Sequence, residues 1–219
     1  MIDAVVFDLD GVLLDSEQVW DRAKRDLATA TGRPWPQAAT RAMMGMSSPE
    51  WSRYLAEEVG VPRTPAQVNE DVLARVLAAY DRELPLLPGA REAVERIAAE
   101  WPLGLASSSN REVIDRVLER MGVAALFAAT VSSEEVARGK PAPDVYLEAC
   151  RRLGVAPQRA VAVEDSHSGI RSAAAAGLRV VAIPNPHFPP GEESLALAAV
   201  KLGDLAALTP DALRATITP

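Results

Sequence analysis

Cysteine is nearly missing from this chain of 219 residues: Cys150 stands alone, so no internal disulfide can form and a reducing compartment is expected. Lysine is almost as scarce, with Lys24, Lys140 and Lys201 set against twenty arginines. Only two histidines occur, His167 and His187, and no pattern assigns either a role. Basic charge is in deficit, 23 Lys plus Arg against 30 acidic residues for a net charge of -7, which repels polyanions and argues against nucleic-acid partners. Small anionic substrates stay open, because a local pocket can be cationic within an acidic molecule. No run approaches the roughly 20 apolar residues of a membrane span. The start, Met1 to Asp8, has neither the basic residues nor the long apolar stretch of a signal peptide, so the expectation is a cytoplasmic protein with no membrane partner. Internal repeats and low-complexity tracts are also absent.

What is there fits an ordinary globular protein: 48% apolar and 24% charged, long enough for one domain with a modest insertion. Short apolar runs stop abruptly at polar residues. They are Ala4 to Phe7 before Asp8, Leu103 to Ala106 before Ser107, Phe127 to Val131 before Ser132, and Ala160 to Val163 before Glu164-Asp165. Arg179 to Ile183 and Ala198 to Leu202 follow. Runs this short and this apolar suit parallel strands buried on both faces. Helical stripes lie between them: Asn110 to Met121 with Asn110 as N-cap and Gly122 as stop, Asp144 to Leu153 before Gly154, and Ser168 to Ala176 before Gly177. On the second of these, Cys150 shares a face with Tyr146, Leu147 and Leu153, which reads as a buried and inert thiol. Alternating strands and helices predict an α/β fold with a doubly wound parallel sheet.

From Ser16 to Leu84 the alternation lapses into helix signals alone. Val19, Trp20, Ala23 and Leu27 share a face. Ser47 or Ser48 can cap a helix carrying Trp51, Leu55 and Val59, and Thr64-Pro65 opens another. The Pro85-Leu86-Leu87-Pro88-Gly89 segment then returns the chain to the sheet. The expected organisation is an α/β core from residues 1–14 and 87–219 with an inserted all-helical unit over 15–86.

In such sheets ligands bind beyond the carboxyl ends of the strands. Asp8, Ser107, Ser132 and Glu164-Asp165 lie at those ends, and Lys140 follows in a Gly139-Lys140-Pro141-Ala142-Pro143 loop. In Asp8-Leu9-Asp10-Gly11 the two aspartates, two apart in extended chain, can face one site while Leu9 packs inward. A calcium loop is the competing reading of DxDG, but Val12 and Leu13 occupy positions that an EF-hand needs for a ligand and a glycine. Two aspartates with Glu164-Asp165 make an oxygen-rich site suited to Mg²⁺. Ser107-Ser108-Ser109-Asn110 offers hydroxyls and N–H groups at a helix N-terminus, which favours anions, although a plain Ser-rich cap would look the same. Lys140, in so lysine-poor a chain, suits a point contact shared by a carboxylate and a phosphate.

Taken together, Asp8-Leu9-Asp10-Gly11-Val12-Leu13-Leu14-Asp15-Ser16, Ala106-Ser107-Ser108-Ser109, Gly139-Lys140-Pro141-Ala142-Pro143-Asp144 and Glu164-Asp165-Ser166-His167-Ser168-Gly169 resemble the four motifs of the haloacid dehalogenase superfamily, in order and across essentially the whole chain. The helical insertion resembles that family's cap domain, and within the family the chain resembles the sugar-phosphate phosphatases and β-phosphoglucomutases. The resemblance implies a Mg²⁺-dependent phosphatase acting on small phosphorylated metabolites such as sugar or sugar-alcohol phosphates, monomeric or homodimeric. Asp8 would be the nucleophile that forms an aspartyl-phosphate, and Asp10 the acid and base. Ser107, Ser108, Asn110 and Lys140 would hold phosphate; Asp8, Asp10, Glu164 and Asp165 would hold the metal.

Two alternatives remain at this stage. One is a sugar phosphomutase, against which stand Trp20 and Ser48 at positions where those mutases resemble each other in carrying His and Arg. The other is a non-catalytic phosphate-ligand sensor. Phosphonate cleavage would need a cap lysine, and the only one, Lys24, reads as solvated on its amphipathic helix. Trp51, Met43, Met44 and Met46 can be either core or lining of the substrate side of the cap.

Overall fold

The computed structural model describes residues 1–43, 46–185 and 189–217. Six parallel strands form one sheet: β1 (Ala4–Phe7), β2 (Leu103–Ser107), β3 (Phe127–Ser132), β4 (Ala160–Glu164), β5 (Arg179–Ala182) and β6 (Val200–Lys201). Their spatial order is β3-β2-β1-β4-β5-β6. Each of the six apolar runs becomes a strand. The last shrinks from the five residues expected to two, because β6 lies at the edge and pairs with β5 alone.

Strand residues alternate between two buried faces. Val5 and Phe7 point with Leu105, Val161 and Val163 towards α5 (Ala90–Ala98) and α6 (Arg111–Met121), while Val6 points with Ala106, Ala160 and Ala162 towards α7 (Asp144–Leu153) and α8 (His167–Ala175). On the second face small residues let the helices lie close. On α7, Tyr146 and Cys150 are buried, but Leu147 is 42% exposed and leaves the face it was expected to share. Burial pushes the Cys150 thiol up to about 11, consistent with an inert side chain.

Between β1 and α5 the chain builds a helical cap from α1 (Glu17–Ala30), α2 (Ala39–Ala42), α3 (Ser48–Glu57) and α4 (Pro65–Arg82). Ser47 caps α3 in a reciprocal capping box with Glu50, and Thr64 does the same for α4 with Gln67. Trp20 and Leu27 of α1, Trp51 and Leu55 of α3, and Val68, Val72 and Val76 of α4 pack together and run on into the apolar cluster on the α5–α6 face of the sheet. Two short connections join cap to sheet; Leu14 on the outgoing one bridges Leu86 on the returning one. The chain ends with α9 (Glu192–Leu195) and α10 (Pro210–Arg214). Among the described residues no helix is long and apolar enough to cross a membrane.

Candidate active site

The strand order creates a switch point. From β1 the chain winds outward through β2 and β3, then returns to place β4 on the other side of β1. Crossovers leave β1 and β4 in opposite directions, so a crevice opens at their carboxyl ends. Asp8 stands at the end of β1, and Glu164-Asp165 at the end of β4.

In that crevice Lys140 Nζ donates to Asp8 Oδ1 at 2.7 Å and to Glu164 Oε1 at 2.6 Å. All three groups are buried. Burial alone would lower the Lys140 ammonium, but the Asp8 and Glu164 charges hold it above its ordinary value. Glu164 is satisfied on both oxygens: Oε1 also accepts from Tyr146 Oη at 2.8 Å, and Oε2 accepts from the N–H groups of Asp165 and Ser166 and from Ser166 Oγ. Tyr146 is the residue that the sequence reading missed here. Its signal was only a tyrosine two residues into a helix that follows the Lys140 loop.

Asp8, Glu164 and Asp165 each offer a carboxylate oxygen within 4.8 Å of the others. Burial pushes the Asp8 carboxyl up to about 7 against the opposing pull of Lys140. Burial, then the Glu164 and Asp8 charges, hold Asp165 well above the carboxylate range. Asp165 Oδ1 is buried with no hydrogen-bond partner. Three crowded carboxylates, one of them with an orphaned oxygen, form an acidic triad that suits a divalent cation, and the Lys140 ammonium offsets part of their charge.

Two glycines make the crowding possible. Gly11 takes a left-handed φ of 82°, and a Cβ there would lie 2.0 Å from Asp165 Oδ2. A Cβ on Gly169, in the first turn of α8, would lie 1.8 Å from Glu164 Oε1. The carboxylates press against bare backbone at both places.

Asp10 turns its side chain to the opposite wall. Its Oδ1 accepts from Ser16 Oγ at 2.5 Å and its Oδ2 from Ser109 Oγ at 2.6 Å, with Ser107 Oγ at 3.5 Å. Neither Ser16 nor Ser109 was singled out from sequence as a partner of Asp10. Of the serine turn, Ser108 and Ser109 face the cavity, whereas Ser107 is fully buried and accepts from the Ser109 N–H at 2.9 Å.

The structure does not bring Asn110 to the cavity. Its side chain also makes no cap bond to α6: Oδ1 accepts from Ser48 Oγ, and Nδ2 donates to Asn69 Oδ1 and Glu134 Oε1. It ties cap to sheet because both docking faces meet at the start of α6.

Above the carboxylates lies a cavity of about 1280 Å³ whose walls come from both cap and core. Asp8, Asp10, Lys140 and Asp165 line its floor; Trp20, Lys24, Met43, Met46 and Trp51 line it from the cap. Trp51, Met43 and Met46 therefore do both, lining the cavity while packing in the apolar core, and Met44 falls outside the described residues. His167 lines the wall as well, with Nδ1 2.6 Å from Ser194 Oγ, while His187 is outside the described residues.

Lys24 overturns its solvated reading. It follows Trp20 by one helical turn on α1, so it continues the inward stripe, and Trp51 of α3 closes over it. It is 9% exposed, with Nζ 5.7 Å from the Trp20 ring centroid and 5.1 Å from that of Trp51. Burial lowers its ammonium to about 8, against the opposing charges of Asp21, Glu17 and Asp10.

Comparison with known proteins agrees with this geometry. The haloacid dehalogenase-like hydrolase model matches residues 2–177. Hexitol phosphatase B of Escherichia coli K12 is 35% identical over 94% of each chain. A phosphorylated carbohydrates phosphatase of Thermotoga maritima is 34% identical, covering 81% of this chain and 82% of its own. Among solved structures, CbbY from Rhodobacter sphaeroides in complex with phosphate superposes with a TM-score of 0.88 at 29% identity, over 98% of this chain and 100% of that one. With its switch-point carboxylates, its helical cap and these relatives, the chain belongs to the haloacid dehalogenase-like hydrolase family and falls among its phosphatases.

Proposed function

We propose that this enzyme is a Mg²⁺-dependent phosphatase that hydrolyses sugar or sugar-alcohol monophosphates through a phosphorylated Asp8, with residues 15–86 acting as the cap that receives the substrate's carbon chain. The observation that carries the reading is the buried Asp8–Lys140–Glu164–Asp165 cluster on the floor of a cavity shared by cap and core. Relatives named as phosphatases of hexitol and carbohydrate phosphates support the substrate class.

In this mechanism Asp8 and Asp165 would hold the metal, with Glu164 beside them and the Asp10 backbone carbonyl as a further oxygen. When bound, Mg²⁺ draws charge from the phosphoryl oxygens and keeps the Asp8 carboxylate ionised. An Asp8 oxygen attacks phosphorus, and the bond to the ester oxygen breaks as the aspartyl-phosphate forms. Asp10 gives its proton to the departing alkoxide, which leaves as an alcohol. It then takes a proton from the water that attacks the same phosphorus, releasing inorganic phosphate and restoring Asp8. The Ser16 and Ser109 hydroxyls orient Asp10 for both transfers. Lys140, fixed by Glu164, offsets the repulsion between nucleophile and phosphate, and Ser108 and the backbone of the serine turn face the remaining phosphoryl oxygens; Ser107, expected to donate to one, lies buried beneath them against Asp10 and the Ser109 N–H.

The mutase alternative has less support. Trp20 packs edge-on against Trp51 at 5.9 Å, and the Ser48 hydroxyl donates to Asn110, so neither offers the cavity a second acid–base group. A cytoplasmic location and a monomeric or homodimeric state belong to the same proposal; the buried, unpaired Cys150 supports the first.

The test is phosphate release from a panel of sugar, sugar-alcohol and nucleotide monophosphates, with Mg²⁺ and with EDTA. Release that requires Mg²⁺ and vanishes in Asp8→Asn is expected. Substantial turnover by Asp8→Asn would refute the nucleophile assignment. Binding without turnover by wild type would revive the sensor reading.

A further inference from the structure

An ammonium buried without a partner is unfavourable, and such groups persist where something outside the chain completes them. Lys24 is in that position. The residue is 9% exposed, among the described residues no hydrogen bond or ion pair reaches its Nζ, and that atom is not sealed from solvent but opens on the cavity. Its neighbours are the two indoles of Trp20 and Trp51. Asp21, three residues earlier on the same helix, is already engaged by Arg25 Nε at 2.6 Å and Thr40 Oγ1 at 2.6 Å. Lys24, Trp20 and Trp51 line the same cavity as Asp8 and Asp10.

We propose that Lys24, flanked by Trp20 and Trp51, is a specificity-determining residue that binds the hydroxyl-bearing end of a polyol or sugar phosphate whose phosphate lies at Asp8. This rests on the phosphatase reading above and narrows its substrate class. Indole faces pack against the C–H surface of a hydroxylated chain, and an ammonium offers three donors to its oxygens. A second anionic group on the substrate is disfavoured, because Asp10, Glu17 and Asp21 already surround Lys24 with negative potential. Hydroxyl oxygens accept from the ammonium without adding charge. A site built to hydrogen-bond a hydroxyl rejects the analogue that lacks it, since the buried donor is then left unmatched.

The experiment compares kcat/KM with Mg²⁺ for sorbitol 6-phosphate, n-hexyl phosphate and fructose 1,6-bisphosphate, using wild type, Lys24→Met and Lys24→Arg. Wild type is expected to favour sorbitol 6-phosphate over n-hexyl phosphate by about 100-fold, and Lys24→Met to shrink that ratio at least about tenfold, through KM rather than kcat. Lys24→Arg should fall between them. An unchanged ratio in Lys24→Met overturns the proposal and leaves the phosphatase reading standing, because both esters still release phosphate. A wild-type preference for the bisphosphate that Lys24→Met abolishes overturns the hydroxyl assignment. Equal losses on both monoesters, together with a lowered thermal midpoint of Lys24→Met, assign Lys24 to cap structure and also overturn it. Failure of wild type to release phosphate from any ester would instead remove the phosphatase reading on which the proposal rests.

Discussion

Replacing Lys24 by methionine should stabilise the folded protein at neutral pH while impairing its recognition of substrate. The stem of the side chain keeps its packing between Trp20 and Trp51, and only the ammonium is lost. Burial lowers that ammonium from its ordinary value of 10.5 to about 8, which corresponds to about 3 kcal/mol against the charged form in the folded state. Two cation–π contacts return about 1–2 kcal/mol of this. The variant should therefore gain about 1–2 kcal/mol at pH 7, or roughly 5 °C in thermal midpoint for a chain of this size.

The pH dependence gives the sharper reading. Below about 8 both the folded and the unfolded wild type carry the proton on Lys24, so the whole penalty is present. Between about 8 and 10.5 the folded chain has released that proton and the unfolded chain still holds it. The unfolded state then binds more protons, and wild-type stability rises with pH relative to the variant. Urea unfolding of both proteins at pH 7, 8.5 and 10 reads the difference directly, because every other titrating group is common to the two. A gap that favours Lys24→Met at pH 7 and closes by pH 10 is expected. A less stable variant at pH 7, or a gap that does not change with pH, would refute the account of Lys24 as a charge whose burial outweighs the compensation its neighbours supply.

Three further outcomes follow from the floor of the cavity. Gly169→Ala would drive a methyl into the Glu164 carboxylate, now 1.8–2.1 Å from the position a Cβ would take. Overpacking there should cost about 2–3 kcal/mol in urea unfolding and depress kcat by displacing Lys140, and a stable, fully active variant would contradict the packing described. Tyr146→Phe removes the 2.8 Å bond to Glu164 and should cost about 1–2 kcal/mol, whereas an unchanged unfolding midpoint would mean that the remaining donors satisfy Glu164 alone. Mg²⁺ at about 100 times its dissociation constant should add about 2.7 kcal/mol of stability, measured as a thermal shift that EDTA reverses. That shift should shrink in Asp165→Asn, whose parent carboxylate holds the orphaned oxygen.

The strands were legible because parallel strands buried on both faces must be short, unbroken apolar runs, and Ala4 to Phe7 or Ala160 to Val163 can be little else. The cap helices announced themselves through local chemistry: Ser47 with Glu50 and Thr64 with Gln67 close their boxes within three residues. Asp8, Lys140 and Asp165 were legible as candidates because each follows or lies near a strand end in a recognisable motif, and their roles remain proposals.

What only the tertiary structure decided are contacts between residues distant in the chain. Ser109 reaches Asp10 across 99 positions, and Asn110 is drawn to Ser48 across 62. No local pattern distinguishes a serine that faces phosphate from one that orients a carboxylate. Lys24 shows the same limit from the other side. On α1 it lies one turn after Trp20 on the buried stripe, but a lysine in an amphipathic helix ordinarily carries its ammonium out to water. Its burial depends on Trp51, carried by a different helix and brought over it when α3 docks. Composition and periodicity determined the elements and the order of the motifs. Docking determined which side chains meet, because burial and electrostatics at each site depend on neighbours that the chain supplies only once it is folded.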